Sequence, residues 1–571
     1  MSEIYDLVVR GGLVVDGRGG EPFEADVGIS NGLIAAVGRG LGPGAEEIDA
    51  KGLLVTPGFV DLHTHYDGQV TWESRLTPSS AHGVTTAIMG NCGVGFAPCR
   101  PDQRDTLIRL MEGVEDIPNP VLVEGLPWTW ESYPEYLDIL SQRNYDMDVG
   151  SFLPHAPLRV FVMGQRALDL EPATSSDLEQ MGAITREAMA AGAMGFGTSR
   201  TLFHRSSDGS SIPTLRATEE ELTTLAMALK DSGSGVIQIV AEDFGSDSGF
   251  AMARRLCELS GRPLTFAMAS ANWQTLLARV REANADGLGI YPQIMTRAVG
   301  FILGHEMTLN PFHTTTTYRA LAHLPFEAKI AELRRPEVRE AILKDVASPD
   351  EKNALGNLVR NFAKMFILGD PPQYEQPPEA SIAARAAKLG VTPESLAYDL
   401  MLEKDGRNTL YMGAVNYEDG NLDAVRAILD HPDTVPGLGD GGAHCGTICD
   451  GSYSTFMLSH FVRDRDHKPL MSLAFAIEKL TRAPAEIVGL LDRGVIAPGY
   501  KADINVIDFE RLSLHAPVVA YDMPSGGRRL IQGAEGYRAT IVSGKPVYRD
   551  GEATGALPGR LVRGAQVAPA A

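Results

Sequence analysis

The segment Gly58-Phe-Val-Asp-Leu-His-Thr-His-Tyr-Asp67 decides the fold class of this chain. Its apolar start predicts a buried strand, and its end carries two histidines, His63 and His65, with one residue between them. Side chains alternate along a strand, so both imidazoles point to the same side, with Asp61 one step deeper. Two imidazoles at the C-terminal end of a barrel strand are well placed to bind one divalent metal ion.

The strand of this segment is the first of a repeating pattern, in which each strand is followed by a long amphipathic helix. Seven further strand candidates lie at 85–91, 148–155, 193–199, 235–242, 263–270, 287–294 and 433–440. Helical stretches separate most of them, for example 175–193 and 219–233. Eight strand-helix units predict an α/β fold, a (β/α)8 TIM-type barrel over residues 58–498.

The two ends of the chain have a different residue pattern from the barrel segment. Residues 1–57 consist of short alternating runs interrupted by Gly, Asn and Pro, which is typical of small antiparallel β structure, and residues 502–512 and 539–555 repeat it. We therefore expect 1–57 and 499–560 to form one β-sandwich domain. The gap between the seventh and eighth barrel strands is too long for one crossover, so residues 300–380 are predicted to be a helical lid insertion over the barrel mouth.

The composition excludes several classes of protein. The 571 residues include 51 Lys and Arg against 73 Asp and Glu, a formal charge of −22. That balance argues against binding nucleic acid or an anionic membrane, since both need clustered positive charge. No run approaches the ~18 uninterrupted apolar residues of a membrane span. The chain shows no secretory signal and only five cysteines, so we expect a cytoplasmic protein without disulfides.

A second motif, Gly437-Leu-Gly-Asp-Gly-Gly-Ala-His444, closes the eighth strand. Its Asp440 can contact a metal ion and accept a proton from a water that the metal acidifies. The alternative is a turn aspartate before Gly-Gly. Because the first and eighth strands are neighbours in a closed barrel, the histidines of the first strand favour the catalytic interpretation of Asp440.

Further motifs extend over almost the whole chain: LVVRGGLVVDGRGG, PGFVDLHTHYD, HGVTTAIMGNCG, GDGG, LTRAPAEIVGLLDRGVIAPGYKADINVID and VSGKPVYRDGEATGALPGR. With them the chain resembles the amidohydrolase superfamily, specifically the D-aminoacylase (N-acyl-D-amino-acid deacylase) family. The resemblance implies a β-sandwich beside the barrel and a metal-dependent hydrolase that cleaves a linear amide in an N-acyl-D-amino acid or a related acylated small molecule. It implies zinc, as one or two divalent ions. It also implies that His63, His65 and Cys92 are metal ligands and that Asp440 is the general acid/base and a metal contact.

Two gaps in the sequence limit what the metal site can be. There is no lysine between Lys51 and Lys230, which excludes the carboxylated-lysine bridge of many superfamily members. There is also no histidine between His204 and His305, where D-aminoacylases are expected to place ligands on the fifth and sixth strands. The polar residues available there are Gln238, Glu242, Asp243, Ser270 and Asn272. Three alternatives remain: a single ion held by His63, His65 and Asp440, recruitment of another histidine, or a degraded site.

Other residues near the predicted barrel mouth are candidates for ligand or substrate contacts. His155, His204 and His444 each follow a barrel strand, although a role in loop structure is an alternative for each. A substrate carboxylate would need a cation, for which Arg297 is the first candidate and Arg200 the second, with Arg159 behind them.

The scaffold also permits other functions. The altered fifth and sixth strands and the large insertion are compatible with hydrolysis of a peptide, a cyclic amide, a lactone or a xenobiotic amide. The missing histidines are compatible with a non-catalytic assembly protein. The expected partner is a small molecule carrying a carboxylate, and the chain's own oligomeric state stays open.

Overall fold

The barrel consists of parallel strands in two hydrogen-bonded groups in the computed structural model, which describes residues 4–345 and 358–570. The first group is, in order, Phe59–Asp61, Val84–Met89 and Asp148–Ser151. The second group is, in order, Leu153–Pro154, Gly195–Arg200, Val236–Ala241, Leu264–Ala267, Ile290–Ile294 and Val435–Pro436. Asp148–Ser151 and Leu153–Pro154 are successive parts of the third strand, so they join the two groups.

Main-chain hydrogen bonds connect the ends of the eighth and first strands. Asp440 N donates to His63 O at 3.1 Å, and His65 N donates to Gly441 O at 2.8 Å. The predicted (β/α)8 barrel is therefore confirmed. The closure also places the two sequence motifs, from opposite ends of the barrel domain, side by side at the carboxyl ends of their strands.

Amphipathic helices with clear start and stop signals cover the barrel. Ser175–Ala191, for example, begins after Thr174, whose hydroxyl accepts from Asp177 N, and ends before Gly192 in the left-handed conformation at φ +108°. The other helices between barrel strands are Gln69–Trp72, Arg104–Glu115, Asn119–Gly125, Tyr133–Ser141, His155–Met163, Gln165–Leu168, Glu219–Ser232, Asp247–Ser260, Trp273–Ala285 and Asp423–Leu429; after the eighth strand come Tyr453–Phe456, Met457–Asp464, Leu473–Leu480 and Arg482–Ile487. None of the helices in the described ranges has both the length and the apolar character needed to cross a membrane.

Strands from both ends of the chain share one nine-stranded sheet. Its members are Tyr5–Val14, Phe23–Ser30, Leu33–Gly38, Gly44–Asp49, Leu54–Pro57, Ile504–Ile507, Tyr537–Val542, Lys545–Arg549 and Glu552–Ala553. Leu54–Pro57 pairs antiparallel with Ile504–Ile507, which joins the two ends of the chain. Alternate residues such as Val9, Val27 and Ile541 pack into one apolar core. Two short pairs, Ser513–Leu514 with Ala534–Glu535 and Val518–Met523 with Gly527–Ile531, lie within the C-terminal part.

The segment between the seventh and eighth strands differs from the predicted helical lid of 300–380. It contains a three-stranded antiparallel sheet of Val299–Leu303, Leu410–Val415 and Met365–Ile367, so it extends to residue 415 and is not purely helical. Its helices are Thr316–Ala320, Phe326–Leu333, Pro336–Asp345, Ile382–Leu389, Pro393–Met401 and Glu403–Gly406. The central strand, Leu410–Val415, pairs with one strand more than 40 positions earlier and with another more than 100 positions earlier. Local sequence patterns do not reveal such pairing. Residues 346–357 of the predicted lid lie outside the described residues.

This insertion packs against the loop that follows the eighth strand. Ile302 N donates to Thr447 O at 2.8 Å, and Thr308 N donates to Gly446 O at 3.0 Å. Directly after its last strand, Asn416 Oδ1 accepts from Ser270 N at 2.8 Å, in the segment that follows the sixth barrel strand. The insertion therefore borders the barrel mouth on two sides.

Candidate metal centre

The two histidines of the first strand point their Nε2 atoms at the same carboxylate. Asp440 Oδ1 lies 3.5 Å from His63 Nε2 and 3.6 Å from His65 Nε2. Both imidazoles are 1% exposed, because they project into the barrel from the alternate positions that the HxH spacing gives them. The structure thus brings together the three residues on which the sequence prediction relied most.

Cys92 joins this group from the loop after the second strand. Its Sγ lies 3.4 Å from His63 Nε2, and one ligand atom from each of His63, His65 and Cys92 lies within 4.8 Å of the others. Cys92 has a left-handed backbone at φ +55°, and its N–H donates to Gln238 Oε1 at 2.9 Å. The fifth strand therefore holds the cysteine loop in place through an amide side chain.

The backbone of the loop after the eighth strand is also left-handed at its functional positions. Asp440 has φ +47° and His444 has φ +53°. Such a conformation costs of order 1–3 kcal/mol in a residue other than glycine, and it persists where surrounding contacts fix it. Here the contacts include the bond from Asp440 N to His63 O and a bond from His444 N to Glu115 O.

A chain of hydrogen bonds sets the tautomer of His63. Thr265 Oγ1 donates to Tyr291 O at 2.8 Å, so it accepts from Gln293 Nε2 at 2.9 Å. The amide oxygen of Gln293 then lies 2.8 Å from His63 Nδ1, which must donate to it. The lone pair of His63 is consequently on Nε2, the atom that faces Cys92 and Asp440, as a metal ligand requires.

Burial keeps the site imidazoles neutral. Removal from water lowers the pKa of His63 to about 4, although the charge of Asp440 opposes the shift. Burial also raises the pKa of the Cys92 thiol. The centre thus offers neutral nitrogen donors and a carboxylate, together with a thiol that a metal ion would deprotonate.

The donor set fits a zinc ion. Imidazole nitrogen, thiolate sulfur and carboxylate oxygen are the ligands that zinc takes in proteins. Within the described part of the chain, His65 Nδ1 and Glu115 Oε1 are buried without a hydrogen-bond partner, which marks the surroundings of the centre as polar. A cation among His63, His65, Cys92 and Asp440 would use donors that internal hydrogen bonds leave largely free.

The fifth and sixth strands present neutral groups to the same space. Gln238 and Thr265 are fully buried, and both are held in the hydrogen bonds described above. Of the other residues considered there, Ser270 Oγ donates to Glu418 Oε2 at 2.7 Å, and Asn272 precedes the helix Trp273–Ala285. Glu242 accepts from Leu202 N at 2.8 Å in the neighbouring loop.

His204 and His444 lie close to the centre. His444 Nε2 is 3.8 Å from Asp440 Oδ2 and 3.6 Å from Glu115 Oε2. His204 Nδ1 is 2.8 Å from Ser199 Oγ, and burial together with the nearby imidazoles of His65 and His444 lowers the pKa of His204 to about 3. Both positions are compatible with the predicted contacts to substrate.

His155 and Arg159 are instead part of a buried network in the barrel wall. His155 Nε2 lies 2.9 Å from Glu221 Oε1, and its Nδ1 lies 2.8 Å from Thr198 Oγ1. Arg159 Nε donates to the same Glu221 oxygen at 2.7 Å, and the side chains of His155, Arg159 and Glu221 are fully buried. These contacts argue for a structural role of His155 and Arg159 instead of the predicted substrate contacts.

The two arginines favoured for a substrate carboxylate are also engaged within the protein. Arg297 is 2% exposed, donates to Asp450 Oδ1 at 2.9 Å and to Ser452 Oγ at 3.1 Å, and lies over the ring of Tyr374 at 3.9 Å. Arg200 donates to the Met252 thioether at 2.9 Å, on the helix that covers the fifth strand. The sequence placed both residues near strand ends correctly, but strand position does not show which neighbours a side chain meets.

Glu115 is a site residue that sequence reasoning missed. Its carboxylate is 2% exposed and lies 3.4 Å from His65 Nδ1. The signal was present in the sequence, because Glu115 falls on the buried face of the helix Arg104–Glu115, in register with Ile108 and Met111. A carboxylate at an apolar helix position needs a partner from elsewhere in the fold.

Comparison with known proteins identifies the family of this chain. The model of the amidohydrolase family matches residues 46–548. The chain belongs to the amidohydrolase family. The resemblance predicted from the sequence motifs is thereby confirmed, and the D-aminoacylase part of it is supported by the relatives of this amidohydrolase.

Three known proteins are similar to this chain over nearly its whole length. D-aminoacylase of Alcaligenes xylosoxydans xylosoxydans is 26% identical over 579 residues, 98% of each chain. A solved structure of D-aminoacylase, described as having a binuclear metal centre, matches with a TM-score of 0.65 at 22% identity over 98% of this chain and 100% of the other. N-acyl-D-glutamate deacylase of Bordetella bronchiseptica, solved with zinc and a phosphonate inhibitor, matches with a TM-score of 0.64 at 21% identity over the same shares. At these identities the two solved structures support the shared fold.

Proposed function

We propose that this amidohydrolase removes the acyl group from an N-acyl-D-amino acid, with zinc as its cofactor. The observation that carries the proposal is the convergence of His63, His65, Cys92 and Asp440 on one point at the carboxyl ends of the barrel strands. This end of a (β/α)8 barrel is where active sites of the fold are located. The names of the full-length relatives supply the reaction class.

His63, His65, Cys92 and Asp440 would hold a single zinc ion. The ion would supply Lewis-acid activation of the attacking water and of the amide carbonyl. We propose one ion instead of two because the fifth and sixth strands offer Gln238 and Thr265, neutral side chains already used in hydrogen bonds. Elemental analysis of protein purified without chelator is expected to give one zinc per chain.

Asp440 is proposed as the general acid and base. One of its oxygens faces the two imidazoles, while its Oδ2 is directed to His444. Asp440 would take a proton from the attacking water and give it to the amide nitrogen as the C–N bond breaks. At 18% side-chain exposure, Asp440 is the most accessible of the four residues at the centre, as a group that meets substrate must be.

The loop after the fourth strand offers an apolar surface beside the site. Leu202 and Phe203 are 55% and 84% exposed, and they directly precede His204. Large apolar side chains at the edge of a site are suited to an apolar part of a ligand. We propose that they contact the acyl chain and that His204 and His444 contact the scissile amide.

The arginines give a reason for a second candidate function. Arg297 and Arg159 are held in buried ion pairs within the protein, so of the three predicted cations only Arg200, whose acceptor is the weak Met252 thioether, is left for a substrate carboxylate. This favours, as the second candidate, hydrolysis of an acylated compound without a carboxylate, such as a cyclic amide, a lactone or a xenobiotic amide.

A substrate panel separates the two candidates. N-acetyl-D-amino acids, their L enantiomers and the corresponding N-acetyl-D-amino-acid amides are incubated with zinc-loaded and chelator-stripped protein. The first candidate predicts hydrolysis of D substrates with a free carboxylate, lost on chelation and restored by zinc. Turnover of the amides alone would support the second candidate, and equal rates with and without chelation would contradict zinc dependence in both.

A further inference from the structure

The buried carboxylate of Glu115 lies between two imidazoles of the site. Its Oε1 is 3.4 Å from His65 Nδ1, and its Oε2 is 3.6 Å from His444 Nε2. Within the described residues these histidines are its only ion-pair partners, and both Glu115 Oε1 and His65 Nδ1 are buried without a hydrogen-bond partner. A carboxylate removed from water in this way is costly unless a nearby group compensates it.

The backbone around Glu115 is fixed on both sides. Glu115 is the last residue of its helix, and its carbonyl accepts from His444 N. Asp116, in the left-handed conformation at φ +52°, accepts from Gly446 N at 3.0 Å. Two residues before Glu115, a Cβ on Gly113 would lie 2.3 Å from the backbone of Arg205, so glycine is needed where the helix meets the loop after the fourth strand. The carboxylate therefore has little freedom to leave its place beside His65.

The two histidines of the HxH motif have corresponding but different partners. Each directs Nε2 to Asp440 Oδ1 and Nδ1 away from the centre, His63 to the amide of Gln293 and His65 to the carboxyl group of Glu115. Burial, with the nearby Asp440 and Asp67, raises the pKa of Glu115 well above its ordinary value. A carboxylate that accepts from Nδ1–H of a metal-binding histidine fixes its tautomer and makes the other nitrogen a stronger donor.

We propose that Glu115 is a positioning residue for the metal centre: by accepting from His65 Nδ1–H it orients the imidazole and directs the Nε2 lone pair to the point shared by His63, Cys92 and Asp440. The inference rests on the proposed function only in taking this point as the zinc site. It assigns a share of the zinc affinity to a helix that lies outside the ends of the barrel strands.

Zinc affinity tests the inference without any substrate. Chelator-stripped wild type, Glu115→Gln and Glu112→Gln are titrated with Zn²⁺ in competition with a chromophoric chelator. Glu115→Gln is expected to bind zinc about 10- to 100-fold more weakly, the usual loss on removing such a partner. Glu112→Gln makes the same replacement on the same helix at a half-exposed position and is expected to bind like wild type.

Two further measurements distinguish positioning from direct ligation. The Co²⁺-substituted Glu115→Gln protein is expected to keep the thiolate-to-metal absorption and the band positions of wild type, since all four ligands remain. Glu115→Asp keeps the carboxyl group and is expected to recover part of the affinity, which also covers a failure of Glu115→Gln to fold. Wild-type affinity in Glu115→Gln, weaker binding in Glu115→Asp than in Glu115→Gln, or two zinc ions in wild type and one in Glu115→Gln would overturn the inference.

The outcome can be separated from that of the proposed function. If no compound of the substrate panel is hydrolysed but Glu115→Gln still weakens zinc binding, the proposed activity fails and the role of Glu115 stands. If wild type binds no zinc, the metal centre fails and the role of Glu115 fails with it.

Discussion

The two sides of the barrel mouth differ in chemistry although they belong to one ring of strands. The first, second and eighth strands contribute His63, His65, Cys92 and Asp440, whose donor atoms face one another. The fifth and sixth strands contribute Gln238 and Thr265, whose Oε1 and Oγ1 atoms accept hydrogen bonds that support the first side. One side of the barrel mouth therefore provides the groups that would bind a cation, and the other side holds those groups in place. We call them the binding side and the supporting side.

The largest expected effect is the loss of the carboxylate on the binding side. Asp440→Asn keeps the size of the side chain but removes its ability to accept and return a proton, so kcat/KM is expected to fall by about 10²–10⁴-fold. The matched change on the other side is Asp243→Asn, at an exposed position after the fifth strand, which is expected to alter kcat/KM by no more than about two-fold. Steady-state kinetics on the best substrate of the panel provides the measurement. A larger loss in Asp243→Asn than in Asp440→Asn would reverse the assignment of the two sides.

The second largest effect concerns the buried network of His155, a histidine that follows a barrel strand but is not part of the metal centre. Glu221→Gln removes the charge that His155 and Arg159 share in the fully buried network. Breaking a buried ion pair from one partner is expected to cost about 3–5 kcal/mol in the free energy of unfolding, measured by urea denaturation. Glu220→Gln, at an exposed position of the same helix, is the control and is expected to have little effect.

The difference in free energy of unfolding between wild type and Glu221→Gln should also depend on pH, which provides a second test of the same network. Burial opposes ionisation of Glu221, but His155 and Arg159 outweigh it and lower the pKa of its carboxyl. A lowered folded pKa contributes stability above the unfolded value of about 4.3, and the contribution is lost as the pH falls through the folded pKa. The difference between wild type and Glu221→Gln is therefore expected to shrink below about pH 4. A constant difference down to pH 3 would exclude the charge of Glu221 as its cause.

His63 and His155 differ in how much of their role could be predicted from the sequence. His63 and His65 were predictable because their two-residue spacing on one strand already places both imidazoles on the same side. His155 also follows a barrel strand, but its partner Glu221 comes from a helix 66 positions later. Local spacing carries no information on such a partner, so the role of His155 could not be read from the sequence.

The same reasoning applies to the fold. Eight strand-helix units are a local pattern repeated along the chain, and the barrel followed from counting them. The insertion was misjudged because its sheet pairs Leu410–Val415 with Val299–Leu303 and Met365–Ile367, which are distant in sequence. Glu115 was missed for a related reason: its register with Ile108 and Met111 indicated burial but not the imidazole that it meets.

The supporting side can be weakened without removing a metal ligand. Gln238→Leu leaves the buried N–H of Cys92 without its acceptor. An unpaired buried donor costs about 1–3 kcal/mol, which urea denaturation of the metal-free protein is expected to show. Zinc content is expected to stay at one ion per chain. A fall in the number of bound zinc ions from two to one would instead make Gln238 part of a second metal position.

The smallest expected effect is at Ser270, which follows the sixth strand, Leu264–Ala267. Ser270→Ala removes the hydrogen bond from Ser270 Oγ to Glu418 Oε2, and because Glu418 is exposed the loss is expected to be only about 0.5–1.5 kcal/mol. Ser270 was one of the residues that could have replaced a histidine ligand. The zinc affinity of the Ser270→Ala variant therefore decides whether this part of the sixth strand takes part in metal binding. Unchanged affinity and kcat together with a small loss of stability would place Ser270 on the supporting side. If Ser270→Ala weakened zinc binding tenfold while its stability stayed that of wild type, the two sides would no longer be distinct, because the sixth strand would contribute directly to the centre.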